Sequence, residues 1–183
     1  LYSVKRHEEA DPVFKAYLKD HPEGSQREMI MYHLANNLLV LRKVRESAEA
    51  YEDFLKEFSG SVHYLDSAYA DLAIARFNLE DYSAAVGASK QLRETAPDSF
   101  RLPGTLVIEG DSYLIDATLL SDDQAEKKAE WETAGLQAYL DAIKIAQPLE
   151  QSDIQRVAMH RETTSEAMWK AASRYYDIGE IEK

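Results

Sequence analysis

This chain predicts an all-α fold of stacked antiparallel helical hairpins, and three observations predict it. Its 183 residues hold seven Gly and five Pro while Ala, Leu, Glu and Lys are plentiful, the composition of helices joined by short turns. No stretch alternates apolar and polar residues as a half-buried strand would. Small and large apolar residues return at three- and four-residue steps, and the same arrangement recurs along the chain.

The first element lies in "ADPVFKAYLKDHPEGS", where Ala10, Phe14 and Tyr17 share a face and Pro22 terminates. Pro12 suits a first turn, so this helix is expected to be short or kinked. The next segment, 28–59, reads as a hairpin: Met31, Leu34, Ala35 and Leu38, then Ser47, Tyr51 and Phe54. Residues 66–99 repeat it with Tyr69, Leu72, Ala73 and Arg76, a turn "NLEDY" in which Asp81 caps, and Ala85, Val86, Ser89 and Leu92. Small residues at Ala73 and Ala85 let two backbones approach. A further first helix carries Leu106, Gly110 and Tyr113, and the last carries Met168, Ala171, Ala172 and Tyr175.

This spacing resembles the tetratricopeptide repeat (TPR) of about 34 residues. With Asp66 at position one, Tyr69, Leu72 and Ala73 fall at four, seven and eight; Tyr82, Ala85 and Pro97 fall at 17, 20 and 32. Arg76 departs from the usual aromatic at position 11. The resemblance implies a TPR-like solenoid forming a right-handed superhelix. Both ends interrupt a repeat, so residues 1–183 are expected to be a single solenoid segment cut from a longer repeat protein. The wording of 50–85 further resembles TPR proteins of Gram-negative envelopes, which implies a periplasmic or outer-membrane-associated setting.

The register breaks after residue 120. "SDDQAEKKAEWET" adds a charged helical stretch that Asp122 or Asp123 can cap, continuing through Ala129, Leu136, Tyr139, Leu140 and Ile143. "SDIQ" at 152–155 reads as a capping box. Two helices, 123–147 and 153–177, follow from this, each about 37 Å long at 1.5 Å per residue. This elongated pair is the second candidate for a docking surface.

The charge of −12 speaks against nucleic acid and anionic membrane surfaces, and it suits a basic protein partner. No apolar run reaches the length of a membrane span. With no Cys, thiol chemistry and Cys-ligated zinc are excluded. "HEEAD" at 7–11 lacks the second His of a zinc helix. "EGDSY" at 109–113 resembles a serine-hydrolase box, yet its Ser falls inside a repeat helix whose Gly110 is already needed for packing. No catalytic, metal or cofactor site is expected.

Transferring the TPR groove positions places Tyr32, Asn36, Leu39 and Val40 on the concave face, then Ala70, Ile74, Phe77 and Asn78. Val107, Asp111, Leu114 and Ile115 follow, then Trp169, Ser173, Tyr176 and Asp177. Such a surface suits an extended or helical peptide. It does not suit the carboxylate grip of chaperone-binding TPR domains. Asn36 matches that pattern, but Tyr32, Asp71, Gly104 and Ile108 stand where it has Lys, Asn, Lys and Arg. The expected function is a non-enzymatic protein-interaction scaffold. The alternatives are a structural spacer or self-assembling array, and an accessory domain of a larger enzyme.

Overall fold

The computed structural model describes residues 2–146 and 154–177, with side chains over 6–146 and 162–174. The described residues form helices and no strand. The chain divides into two compact units, Leu1–Ala96 and Pro97–Lys183.

The first unit holds α1 (Tyr2–Asp20), α2 (Arg27–Val40), α3 (Val44–Glu57), α4 (Leu65–Asn78) and α5 (Tyr82–Thr95). Each helix packs on the next in sequence, and α2 also meets α4, the neighbour relations of stacked hairpins. Position eight holds Ala35 and Ala73 and position 20 holds Ser47 and Ala85, all fully buried. Ser47 donates to the Ala35 carbonyl at 2.8 Å, so a hydroxyl sits at this tight contact without an unmet hydrogen bond.

Both hairpin turns use one device. Arg42 and Glu80 have φ of 61°, a left-handed conformation that non-glycine residues rarely adopt. Around them Lys43 N–H donates to Leu38 and Arg42 N–H to Leu39; Asp81 N–H donates to Arg76 and Glu80 N–H to Phe77. These are Schellman caps, which satisfy the last carbonyls of α2 and α4. Asp81 then caps α5 by accepting from Ala84 N–H, as the sequence predicts. Arg76, out of place for an aromatic position, pairs with Glu52 on α3 and with Asp81 at 3.1 Å.

One expectation is corrected. The helix α1 runs through Pro12 for 19 residues instead of starting at it. Proline removes the bond to the Glu8 carbonyl, but Glu8 and Pro12 are both exposed, so the loss falls on a solvated side. Polar contacts to the neighbouring hairpin hold both sides of the break. Asn37 Nδ2 donates to the His7 carbonyl at 2.9 Å, and Lys43 Nζ reaches Asp11 at 3.3 Å.

The second unit holds α6 (Leu102–Thr118), a 3-10 turn (Asp122–Gln124), α7 (Ala125–Ala146) and α8 (Ile154–Asp177). The long pair of helices thus lies where its apolar periodicity places it. The cap before α7 is Ser121 with Gln124 in a capping box, not Asp122 or Asp123. A box needs Ser or Thr three residues before Glu or Gln, and that spacing starts at Ser121. Ser152 of the expected "SDIQ" box lies outside the described residues. Here the tight contact is made by glycines. A Cβ on Gly135 would stand 2.9 Å from Leu114 Cγ and 3.0 Å from the Gly110 carbonyl oxygen, and one on Gly110 would enter the Tyr139 ring. Both helices therefore accept the propensity cost of an interior glycine, about 1 kcal/mol each relative to Ala, in exchange for closeness.

Candidate functional site

In the second unit α6, α7 and α8 pack against one another. Gly110 admits the Tyr139 ring, and the Tyr139 hydroxyl then reaches one residue further along α6 and donates to Asp111 Oδ1 at 2.6 Å. Lys170 of α8 approaches the other oxygen of that carboxylate at 2.5 Å and Glu166 at 2.9 Å. Its ammonium also lies 5.9 Å from the centre of the Tyr139 ring. A second pair, Arg174 with Glu132 at 2.6 Å, ties α8 to α7 beside the first.

These groups border an open cleft of about 240 Å³, whose lining includes Asp111, Leu114, Tyr139, Trp169, Lys170 and Ser173. Trp169 is 70 % exposed at its rim, the largest exposed apolar side chain among the described residues. Burial pushes the Tyr139 hydroxyl above its ordinary value, and Asp111 pushes it further. For Lys170, burial opposes the charge, but hydrogen bonds to Asp111 and Glu166 outweigh it and raise the ammonium above its usual value. The cluster is therefore a neutral tyrosine and a fixed ion pair at neutral pH. It presents a rigid polar wall with an indole beside it.

Four of the residues that the TPR resemblance implies for the groove, Asp111, Leu114, Trp169 and Ser173, line this one cleft. The others lie elsewhere. Tyr32 is half-buried in an aromatic cluster, stacked on Tyr64 with centroids 4.7 Å apart, and its hydroxyl reaches Asp71 at 3.3 Å. Asn36 is half-buried. Ile74 and Phe77 are half-buried, with Phe77 edge-on to Tyr82 at 5.5 Å, and Asn78 is exposed. Ala70 and Val107 are buried core residues, because each is packed by its own unit. The side chains of Tyr176 and Asp177 lie outside the described residues.

Sequence reasoning missed Lys170, Arg174, Glu132 and the hydroxyl of Tyr139 as parts of a site. The available signals were the Glu166–Lys170 spacing of four and the otherwise costly Gly135 in a long helix. The serine of "EGDSY" has a structural partner: Ser112 is fully buried and donates to the Ile108 carbonyl at 2.7 Å. Among the described residues no three His, Cys, Asp or Glu side chains stand so as to hold a metal ion. Nor is any described helix long and apolar enough to cross a membrane.

No protein-family model and no curated protein matches the chain. Solved structures do. The fold is similar to "Crystal structure of MamA protein", with a TM-score of 0.56 and 15% identity over 100% of this chain and 90% of that one. It is also similar to "MamA RS-1 ArsTM double mutant", with a TM-score of 0.51 and 18% identity over 90% and 86%. The likeness is one of fold: an all-α, TPR-like arrangement of helical hairpins.

Proposed function

We propose that this TPR-like chain is a non-enzymatic scaffold that holds a segment of another protein, and that the cleft beside Trp169 is a principal contact. The observation that carries the reading is the 70 % exposure of Trp169 next to polar groups that already have partners. An exposed indole at the mouth of a cleft offers apolar area to a partner. Asp111 is engaged by Tyr139 and Lys170, so closing the cleft strands no bare carboxylate. Ser173 and Thr118 supply hydroxyls that fix the register of a bound backbone. The acidic balance of the chain favours a basic segment in the encounter.

A random peptide library selected on the chain tests this reading. Trp131→Phe leaves Trp169 as the single tryptophan, and its emission is expected to shift to the blue when a selected peptide binds. Trp169→Ala is expected to weaken those peptides about thirtyfold, the loss of a 2 kcal/mol anchor, with helicity unchanged. Peptides that bind Trp169→Ala as they bind the wild type would take the site away from this cleft.

A further inference from the structure

The chain carries two tryptophans, Trp131 on α7 and Trp169 on α8, and their surroundings differ in charge. A helical side chain leans back over the turn before it, so the residues three and four places earlier decide what lies beside the ring. Four places before Trp131 is Lys127, whose ammonium stands 4.3 Å from the centre of the ring. Trp131 is half-buried, and its π face is already taken by a cation of its own helix.

Trp169 has the opposite neighbours. Ser165 stands four places earlier and Glu166 three, and Glu162 lies on the same stripe a further turn back; all three are exposed. The two cations that line the cleft are half-buried and turned to other partners: Lys170 is divided between Asp111 and Glu166, and Arg174 meets Glu132. Glu166 keeps 51 % of its side chain accessible beside the exposed indole. Asp111, Glu132 and Glu166 thus stand against two cations. The cleft and its rim carry an excess of negative charge, to which Glu162 adds.

We infer, on the cleft reading proposed above, that the segment held there presents an arginine whose guanidinium stacks on the Trp169 indole, with Glu166 as its counter-ion. A cation over an indole is attracted by the negative face of the ring, and the attraction grows as the partner excludes water. Arginine suits the position better than lysine, because its planar guanidinium lies flat on a ring while its edge donates to a carboxylate. Its methylene stem meanwhile covers apolar area of the indole. The bound segment supplies to Trp169 what Lys127 supplies to Trp131.

Peptides that are selected on the Trp131→Phe chain and shift Trp169 emission test this when each arginine in turn is replaced by citrulline, which keeps the shape and removes the charge. In each peptide one such replacement is expected to weaken binding about tenfold, and lysine at that position to weaken it less. Trp169→Ala is expected to make the arginine and citrulline peptides bind alike. Glu166→Gln, in which Lys170 keeps Asp111, is expected to weaken the arginine peptide and leave the citrulline peptide unchanged. Peptides that shift Trp169 yet contain no arginine, or bind equally well with citrulline at each one, overturn the inference and leave the cleft reading standing. So does a citrulline effect that persists in Trp169→Ala, because the arginine then sits elsewhere. A library without any peptide that shifts Trp169 overturns both.

Discussion

Tyr51 in the first unit and Tyr139 in the second each donate a hydroxyl hydrogen to an aspartate on a neighbouring helix, at 3.2 and 2.6 Å. Burial holds both hydroxyls neutral to higher pH than usual, and the nearby carboxylate adds to it. The surroundings separate them. Asp71 is 5 % exposed and also receives the hydroxyl of Tyr32, so that cluster is sealed. Asp111 keeps 23 % of its side chain accessible, is met by Lys170, and borders a cleft with an exposed tryptophan. The same polar pair is a packing element where two 14-residue helices close over it. It becomes part of a surface where α6, α7 and α8 leave an open cleft beside it.

The comparison breaks most visibly at the glycines of the second unit. Gly110→Leu drives a side chain into the Tyr139 ring and is expected to destabilise by about 3 kcal/mol, the upper end of overpacking costs. Ala85→Leu in the first unit is expected to lose about 1–3 kcal/mol by the same route. Thermal melts of the two variants measure the difference, and a Gly110→Leu melt equal to wild type would remove the close crossing from the account.

Truncating the aspartates sharpens it. Asp71→Ala removes the acceptor of the buried Tyr51 hydroxyl and is expected to lose about 2 kcal/mol of stability. Asp111→Ala leaves Lys170 with Glu166 and access to water, so its melting temperature is expected to fall less and its peptide affinity more. Within the groove set, Tyr176→Ala is expected to weaken capture with helicity retained, and Glu126→Ala to do little. Binding isotherms beside circular dichroism separate these outcomes.

Alkali probes both pairs at once. A hydroxyl whose folded value is raised contributes stability that is complete below the ordinary tyrosine value near 10 and is lost as pH rises through and beyond it. Melting temperature is therefore expected to hold up to about pH 10 and to fall progressively above it. Tyr51→Phe is expected to flatten that drop more than Tyr139→Phe, since Tyr51 also faces Tyr32. The smallest effect concerns the hairpin turns of the first unit. Glu80→Gly relieves a left-handed residue and is expected to stabilise by about 0.5–1 kcal/mol, read as a small rise in melting temperature.

What could be read from the residues alone was whatever depends on local periodicity. Spacing places Ala35, Ser47, Ala73 and Ala85 at helix crossings, because only small side chains at a fixed step allow two backbones to meet. It also places α7 and α8 and the cap at Asp81. Four residues that the repeat register assigns to the groove line the cleft, while Ala70 and Val107, at the register position of Trp169, are buried. Pro12 was misread because its penalty depends on whether the freed carbonyl is solvated, which is a property of the packed helix. Lys170, Arg174 and Glu132 carry no local signal of a site, because tertiary packing sets them against partners on other helices. The same holds for Tyr139: periodicity assigns its ring to the core, but only Gly110 beneath it, 29 residues earlier in the chain, determines how far the hydroxyl reaches. Distances between side chains on different helices are fixed by how closely those helices approach, and no local pattern encodes that approach.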